Sequence, residues 1–187
     1  MFLTIPSRAS AAILRTKYPM QSAKLALSVP MEVTLSSAIS LKPLFDLKLR
    51  VGAHHDVGAT PRGYRRVAPV SGGRFEGRMS GEVLPGGTDW ITLNEDQSCM
   101  YIDVRLPLKT DEGSFVILHY AGIRAGHPEI LARVTRGEDV EPHSYYYYVS
   151  GSFEASEPNM DWLNRLVCIG KGSRSATGPE YSFWEVA

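Results

Sequence analysis

The strongest constraint on this chain is an alternation of period two. In Leu44–Val51 the residues Phe45, Leu47, Leu49 and Val51 alternate with Asp46, Lys48 and Arg50. In Met100–Leu108 the residues Met100, Ile102, Val104, Leu106 and Leu108 alternate with Tyr101, Asp103, Arg105 and Pro107. Successive side chains of a strand point to opposite faces, so this pattern specifies half-buried strands. Ser114–Ile123, Tyr145–Phe153, Leu166–Ile169 and Tyr181–Val186 are rich in β-branched and aromatic residues and are bounded by glycine or proline, which marks further strands. Turn chemistry separates them at Ser71-Gly72-Gly73, Pro85-Gly86-Gly87 and Asp111-Glu112-Gly113. No helix-length period fills the gaps, which favours an antiparallel meander over crossover units. A two-sheet sandwich and a closed barrel both remove exposed edges. Gly77, Gly81, Gly122 and Gly151, inside the strand patterns, favour the tighter curvature of a barrel. Arg124–His143 reads as a long connection with about one turn of helix at Pro128–Arg133, a candidate flap over the barrel mouth.

The 187 residues suit one domain. Twenty basic residues balance twenty acidic ones, so no global field draws the chain to nucleic acid. No run of about 18 apolar residues argues for a membrane span. Two cysteines, Cys99 and Cys168, are too few for a disulfide framework and lack zinc spacing, which suits a reducing compartment such as the cytoplasm. Residues 1–30 stand apart from the body at 31–187. They carry no acidic residue but hold Arg8, Arg15, Lys17 and Lys24 among scattered serines. That composition reads as a mitochondrial targeting segment, as a loosely ordered extension, or as an upstream start whose natural initiator is Met20 or Met31.

No strong catalytic template is present: there is no complete dinucleotide loop, P-loop, HExxH or GxSxG. His54-His55-Asp56 offers three metal-ligand types on one loop, but such a trio is more often solvated surface, and no metal site is assigned. Asp103 and Arg105 lie two apart and share a strand face. Facing outward they form a solvated pair of little worth; facing inward they are buried charges beside a cavity. His119 and Tyr120 point to opposite faces, so one of them at most joins an internal site. Tyr145–Tyr148 puts two phenols on each face, either as a stacking wall for an aromatic ligand or as good strand formers. Trp90, Trp162 and Trp184 read as core or rim anchors, and Asp161–Arg165 as a turn before a strand.

From about Leu41 onward the chain resembles the domain of unknown function 3237 family. The resemblance rests on Gly63-Tyr64-Arg65-Arg66 with Pro69, Gly72–Gly77, Gly81–Trp90, Asp103-Val104-Arg105, Thr110–Gly113, Phe153-Glu154, Trp162–Arg165 and Tyr181–Val186. It departs from the family pattern at Glu112, where an Asp is usual, and in the tyrosine-rich strand. The resemblance implies an all-β fold, a single closed antiparallel calycin-like barrel with a central cavity and few short helices. It also favours the inward reading of Asp103 and Arg105.

Two functional readings follow. In the first, Asp89, Asp103, Arg105 and Glu76 are catalytic groups of a cofactor-independent acid–base enzyme. It would be an isomerase, cyclase or lyase acting on a small aromatic or polyketide-like molecule of secondary metabolism. Trp90, Tyr101, His119, Tyr120, Tyr146, Tyr148 and Asn164 are then the expected substrate contacts. In the second, the barrel binds a small molecule without chemistry. An exposed wall could also support a homo-oligomer.

Overall fold

The computed structural model of the protein describes residues 39–141 and 143–187. Alternation becomes ten strands: β1 (Leu41–Val51), β2 (His55–Thr60), β3 (Gly63–Gly77), β4 (Gly81–Val83), β5 (Gly87–Leu93), β6 (Cys99–Thr110), β7 (Phe115–Gly126), β8 (Tyr145–Ala155), β9 (Cys168–Ser175) and β10 (Gly178–Val186). An α-helix, α1 (Pro128–Thr135), and a short 3-10 helix, Pro158–Arg165, complete the described chain. No helix among the described residues is long and apolar enough to cross a membrane. The targeting reading of residues 1–30 and the boundary near residue 31 lie outside the described residues.

All pairings are antiparallel, running β1-β10-β9-β8-β7-β6, and β1 pairs with β3 to close the ring. The β4 and β5 strands share one position between β3 and β6, split at Leu84–Gly86 where the Pro85-Gly86-Gly87 turn was expected. This gives a closed eight-stranded antiparallel barrel. The β2 strand is a hairpin partner of the far end of β3.

Large rings fill the barrel because the neighbouring strand often offers a glycine opposite them. Tyr120 faces Gly151, Phe183 faces Gly170, Tyr181 faces Gly172, and Phe75 faces Gly81. The approach is close: a Cβ at Gly170 would lie 2.7 Å from the Phe183 ring. At one end Phe45 packs on Phe75, Phe153 and Phe183 with centroids 5.7, 6.1 and 5.3 Å apart, and Leu47, Leu106, Leu108 and Leu118 seal that half. Further along the axis Tyr120, Tyr181 and Tyr147 follow in edge contacts of 5.0 and 5.4 Å. The interior thus grades from apolar to phenolic toward the end where α1 lies.

Two local expectations are corrected. Ser71-Gly72-Gly73 is no turn but part of the long β3, which bends there against β1; a Cβ on Gly73 would stand 2.2 Å from the Lys48 carbonyl oxygen. The connection after Arg124 is shorter than expected, because β7 continues to Gly126 and carries Arg124 inside the sheet.

Candidate functional site

Beyond the tyrosines the barrel holds a cavity of about 650 Å³ at the α1 end. Its wall includes Asp89, Ile91 and Leu93 of β5, Met100 and Ile102 of β6, Arg66 and Ala68 of β3, Arg124 of β7, Tyr147 of β8 and Arg174 of β9. Leu131, Ala132 and Thr135 of α1 form part of its roof. Leu131 and Val134 on the buried face of α1 hold the helix there, and proline at the helix start is compatible with the first turn, where no intrahelical donor is needed. Helix and barrel are joined by Arg124, whose Nη2 donates to Thr135 Oγ1 at 3.0 Å.

Asp89 is a partly buried carboxyl of this cavity. It shares the inward parity of Gly87, Ile91 and Leu93 on β5. Its Oδ1 accepts a long 3.4 Å hydrogen bond from the Asp103 backbone N–H, where the β5–β6 ladder opens between Asp89 and Thr92. Burial raises its pKa to about 7, against the opposing effects of that N–H and the Arg124 charge. Beneath it the Tyr147 and Tyr181 hydroxyls share a 2.6 Å hydrogen bond. Burial pushes the hydroxyls of Tyr120, Tyr147 and Tyr181 upward, so these phenols stay neutral hydrogen-bonding groups.

Cations dominate the rest. Arg124 is 5% exposed, its Cζ 5.8 Å from the Tyr147 ring centroid, and its Nε has no hydrogen-bond partner among the described residues. Arg174 is held below the usual guanidinium range by burial first and by the Arg124 charge second. Arg66 is spoken for: its Nε donates to Asp56 Oδ1 at 2.7 Å. His54, at the rim, is lowered by burial and then by the Arg66 charge. With Asp56 so engaged, the His54-His55-Asp56 trio does not converge, and no group of three such ligands forms among the described residues.

Of the residues expected from sequence, the cavity wall takes Asp89, and Tyr120 lies deeper among the buried phenols. The inward reading of Asp103 and Arg105 is corrected. Ile102, Val104, Leu106 and Leu108 are buried, so Tyr101, Asp103 and Arg105 on the other parity face solvent. His119 faces outward too, its Nε2 2.8 Å from Asp103 Oδ1, an exposed pair of little energetic weight. Trp90, Tyr146 and Tyr148 are on the outer wall, because Ile91, Tyr147 and Val149 take the inner parity. Glu76 is exposed near the opposite end of β3 from Ala68, Asp89's partner, and lies 3.3 Å from Arg74, which also holds Asp111 in a two-pronged pair at 2.8 Å.

Asn164 is a structural clamp. Its Oδ1 accepts from the Ala155 N–H and its Nδ2 donates to the Ala155 carbonyl oxygen, both at 2.8 Å, tying the 3-10 helix to the end of β8. Asn164→Ala should therefore cost about 1–2 kcal/mol in chemical denaturation and leave ligand affinity at the cavity unchanged. Lost affinity without lost stability would return Asn164 to the site.

The sequence reading missed Arg124, Arg174, Arg66 and Tyr147 as cavity groups. For Arg124 the signal existed: it continues the parity of Val116, Leu118 and Tyr120. Tyr147 likewise shares the parity of Val149 and Phe153.

The fold recurs in proteins of known structure. A UPF0311 protein of Rhodopseudomonas palustris is 31% identical over 143 residues, spanning 76% of this chain and 93% of its own length. The crystal structure of a conserved protein of unknown function from that species matches with a TM-score of 0.73 at 29% identity, covering 81% of this chain and 99% of the other. A β-barrel-like protein of Acinetobacter baumannii matches at TM-score 0.70 and 32% identity, over 81% and 98% of the two chains. An enzyme of Penicillium herquei shares the fold at TM-score 0.62 with 18% identity, over 81% and 96%. Residues 39–186 match the model of the family described as Protein of unknown function (DUF3237), and the chain belongs to that family.

Proposed function

We propose that the cavity at the α1 end is the active site of a cofactor-independent acid–base enzyme, of the isomerase, cyclase or lyase kind. Its substrate is a small aromatic or polyketide-like molecule. The observation that carries this reading is Asp89, a partly buried carboxyl in a cavity wall whose pKa of about 7 populates both protonation states at neutral pH. Such a group can take a proton from carbon or oxygen and return it elsewhere at little thermodynamic cost. Arg124 beside it stabilises the enolate or phenolate that proton removal leaves, in surroundings where a guanidinium acts more strongly than in water. The Tyr147 hydroxyl is a neutral donor on the same wall, and Ile91, Leu93, Met100 and Ile102 suit a flat apolar body.

The test uses the full chain in deuterated water with 2-tetralone, an enolisable aryl-fused ketone, and follows loss of the α-proton signal by NMR. Exchange should exceed the protein-free rate, rise with pH through about 7 as Asp89 ionises, and fall by about 100-fold or more in Asp89→Asn. If the ketone binds and exchanges no faster than without protein, the barrel is a binding module and the catalytic reading is lost.

A further inference from the structure

One cation is enough to stabilise a charge that develops during proton transfer, and Arg124 stands beside Asp89 for that purpose. The cavity has a second cation with no such task. Arg174 lines the same space, is half-buried, and has no carboxylate within ion-pairing distance among the described residues. Arg66, which does have one, shows what a satisfied guanidinium looks like in this wall. Arg124 adds to the imbalance, because it is nearly inaccessible and its Nε is without a partner. The partly buried acid nearby, Asp89, offers no direct ion pair to either group among the described residues. Two desolvated guanidinium groups that share a cavity and lack counter-ions are stable together chiefly when an anion joins them.

We infer that the substrate of this cavity carries a permanent anionic group, a carboxylate, seated at Arg174 and within the field of Arg124, with its ring system laid along Ile91, Leu93, Met100 and Ile102. This deepens the acid–base reading of the same cavity and rests on it. Anchoring a carboxylate at Arg174 leaves the rest of the molecule extending toward Asp89, so the anchor also orients the reacting end.

Binding calorimetry on the full chain with 2-naphthoate and 2-naphthamide, which share shape and differ in charge, tests the inference. The wild type should favour the carboxylate by about tenfold or more, Arg174→Gln should abolish that preference while still binding the amide, and the outward-facing Arg105→Gln should keep it. The inference is overturned if the amide binds as tightly as the acid, if Arg174→Gln retains the preference, or if neither probe binds at millimolar concentration. The wild-type comparison stands whether or not the variant folds. Equal binding of the two probes alongside Asp89-dependent exchange of 2-tetralone removes the anionic anchor and leaves the acid–base chemistry intact. Preference for the acid without exchange removes the chemistry and leaves an anion-binding barrel.

Discussion

Asp89→Asn should raise the thermal midpoint of the protein above about pH 8 and leave it nearly unchanged near pH 4. The carboxyl titrates at about 7 in the folded chain against an ordinary value of 3.8. Between those two values the folded protein keeps a proton that the unfolded chain releases, so stability falls as pH rises through this window. The difference amounts to about 4 kcal/mol above pH 7, as an upper bound, and to nothing below both values. Asparagine has nearly the same shape and no charge to desolvate. The substitution should therefore be worth roughly 10 °C at alkaline pH in a domain of this size. Melting curves of both proteins at the two pH values isolate the effect, because every other titrating group is common to both. A variant that melts lower than wild type at alkaline pH would show that Arg124 holds Asp89 as an ion pair and would remove the argument for its dual protonation state. Stability gained where proposed activity is lost is the pattern expected of a catalytic carboxyl.

Gly122→Ala should strongly destabilise the barrel wall. Gly122 sits between Tyr120 and Arg124 on the inward parity of β7, opposite Val149. A Cβ there would lie 2.2 Å from the Tyr148 carbonyl oxygen and 2.5 Å from the Val149 Cα. These are backbone atoms of the paired strand, so no rotamer change relieves the overlap and the β7–β8 ladder has to spread. We expect a loss of about 3 kcal/mol or more, with a midpoint lower by roughly 10 °C. Gly113→Ala is the control: its φ of +99° brings some strain, but a Cβ there meets nothing within 4 Å, and the cost should be about 1–2 kcal/mol. Equal losses at the two positions would mean that the close approach of β7 and β8 is not what requires glycine.

The barrel was legible because burial follows alternation so closely. Phe45, Leu47 and Leu49, and Ile102, Val104 and Leu106, are buried as their parity demands. Alternation alone left the face of Asp103 and Arg105 open, and it was the family resemblance that turned them inward; the burial of Ile102, Val104 and Leu106 puts them outside. Gly72-Gly73 was misread because the signal for a turn and the signal for a close crossing of strands are the same residues; Gly73 is needed where β3 passes Lys48. The cavity was less legible for a different reason. Asp89, Arg124, Tyr147 and Arg174 come together through the register of strands far apart in sequence, and a one-residue slip in any ladder would send its member outside. Parity gives each strand's inner face but does not say which inner faces meet at the same height.

The division of the interior into a solid phenylalanine and leucine half and a hollow half under α1 has an evolutionary corollary. Residues that hold the fold together and residues that line the chamber are largely different sets, separated along the barrel axis. Substitution at Ile91, Met100, Arg174 or Leu131 changes the shape or charge of the chamber without touching Phe45, Phe75 or Leu118. A scaffold arranged this way can diversify its chemistry by drift at one rim while the opposite end preserves foldability, so relatives at 30% identity can share a barrel and differ in what it receives.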